Sequence, residues 1–164
     1  MSIESVREYF RPLGREQDIQ EFDVSSATVE LAAQALGVIP ARIAKSLSFL
    51  VGEGCVLIIA AGDAKIDNPK FKRQFAAKAK MLSPDQVVEF TGHAIGGVCP
   101  FGIDNPAVKT YRDISLRRFD TVFPAAGSSN SAIELTCDAL EQYACNCQGW
   151  VDVCKGWRPE EQQA

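Results

Sequence analysis

Apolar and polar positions alternate along this chain with two periods, and the switches between them divide it into elements. In SIESVREYFRPLG, residues 2–14, Ile3, Val6, Phe10 and Leu13 recur at helical spacing, with Ser2 as candidate N-cap and Gly14 as stop. IQEFDV, residues 19–24, alternates and predicts a short strand. TVELAAQALG, residues 28–37, predicts a helix capped by Thr28, striped by Val29, Ala32, Ala33 and Leu36, and ended by Gly37. The strongest β signal follows Pro40. AKSLSFLV alternates, GEG turns, and CVLIIAAG is continuously apolar, which predicts a hairpin whose second strand is buried on both faces.

Downstream, NPKFKRQFAAKAKML, residues 68–82, predicts a helix with Asp67 or Asn68 as cap, Pro69 in the first turn, and Phe71, Phe75 and Leu82 inward. Ser83 and Gln86 are spaced as a capping box that starts another helix through Phe90. A glycine-rich loop comes next, then β-like segments at VKTYRDI and DTVFPAAG, an SSNS turn into AIELT, a helix CDALEQYA and a short strand WVDV. Strands and helices are interspersed without a βαβ rhythm and without a linker. The expected class is α+β, one domain over residues 1–164, with a mixed or antiparallel sheet curled towards a barrel and helices around it.

One residue breaks the hairpin's pattern. Lys45 shares a strand face with Leu47, Phe49 and Val51, and that face should be interior. A lysine there snorkels from the strand end, pairs with an anion, or loses its proton. The first option is a solvated structural lysine; the second is a cation on the floor of a cleft. The loop HAIGGVCPFG offers that cleft a wall, because Gly96 and Gly97 permit close backbone approach and Pro100 fixes the turn after them. AAGSSNS supplies a second small-residue turn through Gly127 and Ser128. No phosphate-loop or dinucleotide fingerprint is present.

Composition narrows the function. With 164 residues the chain can build a real core. No run is apolar enough for a signal peptide or a membrane span, so the expected address is the cytoplasm, with reduced cysteines and no membrane partner. The net charge of −4 argues against indiscriminate coating of nucleic acid, so DNA is not an expected partner, although a local basic patch remains compatible with it.

Taken together, IAKSLSF, GHAIGGVCPFG and FPAAGSSNSAIEL, in that order over roughly residues 3–145, resemble the YbaK/EbsC family. These are free-standing relatives of the editing domain inserted in bacterial prolyl-tRNA synthetases. The resemblance implies that fold and a metal-independent, cofactor-free deacylase acting in trans on mischarged aminoacyl-tRNA, with Cys or Ala on tRNA(Pro) as the expected ester. Lys45 matches the family's essential lysine, and Ser46 stands where a threonine or serine usually follows it. Gly96 and Pro100 match the GxxxP loop that lines the aminoacyl pocket, which brings Gly97, Val98 and Cys99 into the substrate-binding set. Gly127 and Ser128 fall in the turn before the IEL strand. Val98 and Cys99 depart from the pattern of some members, so the resemblance speaks to the reaction class and leaves the amino acid open. In the family reading Lys45 engages the phosphate or ribose of the terminal adenosine, backbone N–H groups of residues 96–100 hold the carbonyl, and the substrate's own 2′-hydroxyl or thiol assists attack. Prolyl-tRNA synthetase is the candidate protein partner.

Lys65, Lys70, Lys72, Arg73, Lys78 and Lys80 lie in one short span, and Lys70, Lys72, Arg73 and Lys78 are the candidate contacts to acceptor-stem phosphates; a solvated helix face explains them equally. His93 and Cys99 could form a base–nucleophile pair, but the expected role of Cys99 is to tune pocket size. Cys137, Cys145, Cys147 and Cys154 lack the spacing of a structural metal site and read as buried thiols. Two other function classes share these features: a non-catalytic tRNA- or nucleotide-binding module, and an esterase or thioesterase on a small acylated metabolite.

Overall fold

The predicted hairpin is the centre of the structure, a computed structural model that describes residues 2–162. Around it the chain runs α1 (Ser2–Phe10), β1 (Ile19–Glu21), α2 (Val29–Leu36), β2 (Ile43–Val51), β3 (Gly54–Ala61), β4 (Lys65–Ile66), α3 (Asn68–Phe75) and α4 (Pro84–Thr91). It continues through β5 (Val108–Asp113), β6 (Thr121–Pro124), β7 (Ser131–Ile133), β8 (Leu135–Thr136), α5 (Cys137–Tyr143), β9 (Cys147–Val151), β10 (Cys154–Lys155) and α6 (Pro159–Gln162). The six-stranded sheet has the order β8-β6-β2-β3-β5-β9 and is mixed: β2 is antiparallel to β3, while β3–β5, β5–β9 and β2–β6 are parallel. It curls into a half-barrel. Two short antiparallel pairs, β1–β7 and β4–β10, form separate two-stranded sheets.

Every residue of β3 from Cys55 to Ala61 is buried, as the apolar run predicts, because β2 and β5 flank it and helices or loops cover both faces. The caps predicted from sequence form. Thr28 Oγ1 accepts from Leu31 N–H, Asp67 from Lys70 N–H, and Ser83 with Gln86 makes a reciprocal box. The cap expected of Ser2 falls on a side chain outside the described ones.

The departures have local causes. The first helix stops at Phe10, and residues 11–13 tighten into a 3₁₀ turn around Pro12, which leaves Leu13 44% exposed instead of inward. The strand expected over 19–24 ends at Glu21, and Val24 is exposed. The helix expected over 68–82 ends at Phe75 with Ala76 in a left-handed cap. Beyond it the chain is drawn out along β2: Leu50 N–H donates to Lys80 O (2.8 Å) and Leu82 N–H to Ser48 O (3.2 Å). Leu82 is buried as expected, but from an extended segment. AIELT is split at Glu134 into β7 and β8, and the strand expected at WVDV starts earlier, at Cys147, and ends at Val151.

The glycine-rich loop is tied into the core rather than hung from it. Gly92 caps α4 in a left-handed conformation, and Thr91 Oγ1 accepts from His93 N–H (3.1 Å). His93 is 1% exposed and Cys99 fully buried. His93 Nε2 lies 2.8 Å from Phe101 O and 3.5 Å from Cys99 Sγ. A carbonyl only accepts, so Nε2 carries the proton and cannot act as a base towards the thiol. His93 Nδ1 is buried without a partner. Burial holds the imidazole below its usual pKa and pushes the Cys99 thiol up to about 12.

His93 therefore makes stability depend on pH. The unfolded imidazole takes up a proton at about 6.5, while the folded one resists until lower pH, so the unfolded state binds more protons between the two values. Its contribution is complete above about pH 6.5 and is lost as pH falls towards the depressed folded value. Urea midpoints from pH 7.5 down to 5 should decline in the wild type, and more shallowly in His93→Gln.

Candidate active site

Two neighbours share one edge of β2 and do not meet. At its start, β6 pairs with it only at Ile43↔Phe123 and Ala44↔Pro124, and Pro124 brings no N–H to the ladder. At its end the extended segment 80–82 pairs with Ser48 to Leu50. The edge from Lys45 to Leu47 lies between them, and a cavity of about 230 Å³ opens there. Its walls come from the chain leading into α2 (Ser26 to Val29), β2 (Ile43 to Ser46, with Ser48), Met81 and Leu82, Val87 of α4, the loop at Ile95, Gly96 and Val98, and the β6–β7 region.

Lys45 is half-buried in this wall. Its ammonium meets no carboxylate within ion-pair distance; it donates to Gly62 O (3.3 Å) and Ala64 O. An ammonium has three N–H donors, so one remains for a ligand. Desolvation holds its pKa below the usual lysine value, partly offset by the nearby Cys154, Asp63 and Glu30. Beside it Ser46 Oγ is buried with no hydrogen-bond partner. Such an orphan costs stability in a closed core and is relieved by a polar ligand atom.

The turn Ala94–Gly97 is closed by Gly97 N–H to Ala94 O (3.0 Å), and Gly96 sits at its third position with φ +96°, which a side chain tolerates poorly. Gly97 is buried against the second turn: a Cβ there would lie 2.8 Å from the Ser128 backbone. Gly127, at φ +96°, is buried in that turn, and Ser128 Oγ is held by Asn130 Oδ1 (2.9 Å) and Ser131 Oγ (2.7 Å). The two glycine turns thus pack on one another to form one wall.

Of the residues singled out from sequence, Lys45, Ser46, Gly96 and Val98 meet around the cavity. Gly97, Pro100, Gly127 and Ser128 do not line it. Cys99 is a correction. It points into the core onto His93 and Phe101 O, so it tunes no pocket, and with no access to the cavity the pair offers no nucleophile. The basic residues divide. Lys70 is engaged by Asp152 Oδ1 and Cys154 O, both at 3.2 Å, whereas Lys72, Arg73 and Lys78 are exposed. Lys78 and Lys80 lie on the extended segment that reaches the cavity at Met81, off the helix that was expected to carry them.

Other residues that shape the site gave no sequence signal. Gly62 is one: it seats Lys45, and a Cβ there would overlap Pro40 O and Val29. Ser26 is another, anchored by its N–H to Ser129 O (2.6 Å). The C-terminal cysteines are scattered: Cys154 is buried, Cys145 Sγ lies 3.5 Å from Thr110 Oγ1, and among the described residues no group of three metal-ligating side chains forms. No described helix is long and apolar enough to cross a membrane.

Comparison with known proteins gives the family. Residues 23–143 match the aminoacyl-tRNA editing domain family. The chain is 57% identical over 159 residues to the uncharacterized protein YwhH of Bacillus subtilis (strain 168), covering 96% of this chain and 99% of that one. It is 32% identical over 91 residues to the proline–tRNA ligase of Thermotoga sp. (strain RQ2), a stretch that is 55% of this chain but only 15% of the ligase. A crystal structure of a candidate trans-editing enzyme for prolyl-tRNA synthetase superposes with a TM-score of 0.83 at 29% identity, covering 94% of this chain and 98% of that one. The chain belongs to the aminoacyl-tRNA editing domain family.

Proposed function

We propose that this protein hydrolyses the ester of mischarged aminoacyl-tRNA in trans, in the cytoplasm, with a non-cognate amino acid on tRNA(Pro) as substrate. The observation that carries this reading is the cavity wall itself. Among the described residues, Lys45 is its one titratable side chain. Hydroxyls are present at Ser26, Thr28, Ser46, Ser48 and Ser131, but none is hydrogen-bonded to Lys45, whose ammonium donates to Gly62 O and Ala64 O instead, and the histidine is sealed elsewhere. A hydroxyl nucleophile activated by a base must be hydrogen-bonded to that base. An activated aminoacyl ester does not need a protein nucleophile, because orienting the substrate's own 2′-hydroxyl or a water and stabilising the oxyanion suffice.

The residues divide that work. The free N–H of Lys45 engages the ribose or phosphate of the terminal adenosine at the cavity mouth. For the carbonyl oxygen the candidate donors narrow from the whole loop to Gly96 and Val98, since Gly97 N–H is taken, Pro100 has none and Cys99 is internal. The acyl side chain enters the largely apolar interior near Val29, Ile43 and Phe123, where Ser46 Oγ awaits a polar partner. Of cysteine and alanine, cysteine's thiol supplies one. Exposed Met81 and Ile95 at the rim offer apolar surface to the terminal base. Prolyl-tRNA synthetase, whose relatives carry a similar stretch, is the proposed source of the mischarged tRNA.

Deacylation of Cys-, Ala-, Ser- and Pro-tRNA(Pro) tests the reading. The wild type should clear a non-cognate ester and spare Pro. Lys45→Ala should lose about 100-fold or more, the scale of removing one preorganised electrostatic contact, and Ser46→Ala should narrow the difference between Cys and Ala. Retained tRNA binding without hydrolysis would make the protein a binding module, and neither would point to small acyl esters. The basic strip has its own test: Lys72→Glu with Lys78→Glu should weaken deacylation and flatten its dependence on salt, whereas an unchanged salt slope would return those residues to a solvated face.

A further inference from the structure

The Lys45 ammonium is only as well placed as the turn that holds it. That turn, Ala61–Ala64, is closed by Ala64 N–H to Ala61 O (2.9 Å), and the two carbonyls that receive Lys45 flank Asp63. Asp63 faces outward onto Arg118, which grips its carboxylate with both terminal nitrogens at 2.9 and 2.6 Å, and Gln162 Nε2 adds a third donor at 3.2 Å. Arg118 is itself fixed. Its Nε donates to Ser115 O (2.9 Å) and its Nη1 to Trp157 O (3.3 Å), while its guanidinium lies 5.0 Å from the Trp157 ring centre and 4.9 Å from that of Phe119. Arg158 covers Trp157 at 4.3 Å and is anchored to Asp152.

The strand after the turn is held by the same part of the chain. β4 pairs with β10 at Ile66↔Cys154 and Lys65↔Lys155, and Asp67 N–H donates to Val153 O (2.8 Å). Residues 153–162 therefore brace the lysine's seat from the side away from the cavity. They lie beyond residues 23–143, the part matched by the editing family.

We propose that this C-terminal segment, acting through Trp157, Arg118 and Asp63, is a positioning element for Lys45. It holds the two carbonyls that aim the ammonium into the cavity. None of these residues touches the cavity wall, so each acts through Lys45. The inference rests on the role assigned to Lys45 under the proposed function. The charged and titratable groups near enough to act on the ammonium are Asp63 from the turn, Glu30 from α2, Lys65 from β4 and Cys154 from β10, and burial outweighs them.

Two variants move Lys45 in opposite directions. Asp63→Asn removes an attractive charge and should lower the lysine's titration point further. Trp157→Ala loosens the brace, admits water and should raise it towards an ordinary lysine. Trp157→Phe should restore wild-type behaviour, because the Trp157 Nε1 has no hydrogen-bond partner to lose. The experiment is an NMR titration of the Lys45 ε-methylene in lysine-labelled protein, assigned with Lys45→Arg, alongside kcat/KM for deacylation. Trp157→Ala and Asp63→Asn should each lower kcat/KM at least fivefold, with rescue by Trp157→Phe. Folded variants that leave the Lys45 titration at the wild-type position would overturn the proposal. If the wild type deacylates nothing, the deacylase reading fails, while the titration still decides whether the segment positions Lys45.

Discussion

The site depends on an interruption in a hydrogen-bond ladder. Alternate residues of a strand send their backbone groups to the same edge, so Ala44, Ser46, Ser48 and Leu50 of β2 all address the side away from β3. β6 satisfies the beginning of that edge and the segment at Lys80 to Leu82 satisfies its end. A continuous neighbour would fill the space between. The proline at 124 and the early stop of α3 at Phe75 keep it open, and the two glycine turns, pressed together at Gly97 and Ser128, roof it without filling it. The remainder of the fold, with β3 buried on both sides, supplies the rigidity that lets such a gap persist.

Within the gap the chain solves a charge problem by solvating an ammonium with backbone dipoles rather than an opposite charge. A carboxylate would pair with Lys45 more strongly and would also neutralise it towards an anionic ligand. Two carbonyls hold the ammonium and leave it electropositive. This arrangement requires a tight turn at 61–64, the absence of a side chain at Gly62, and an outward-facing Asp63 that is occupied by Arg118 instead of by the lysine.

Elements specified by local chemistry were legible in the sequence: the hairpin from its alternation, α2 and α4 from their caps and glycine stops, and Lys45 from its misfit in an apolar face. Elements decided by distant partners were not. The stretch 76–82 has helical composition, yet hydrogen bonds to a strand some 30 residues earlier in the chain draw it out. Cys99 sits in a loop that looks exposed, and its burial follows from the contact of that loop with His93 and Phe101, which spacing does not reveal. Gly62 and Ser26 read as ordinary turn residues because what makes them matter, the Lys45 ammonium and Ser129 O, is brought by tertiary structure. The motifs that carried the family resemblance did converge, although half of the glycine loop supports the wall rather than forming it.

The central claim is that the aminoacyl end of tRNA occupies the break in β2's edge. The most direct measurement is a crystal structure with a non-hydrolysable amide analogue of cysteinyl-adenosine. The account predicts the acyl side chain between Ser46 and Phe123, its carbonyl oxygen at Gly96 and Val98, and the ribose within reach of the Lys45 ammonium. An analogue bound elsewhere, with that cavity still empty and Lys45 turned to its two carbonyls alone, would contradict it.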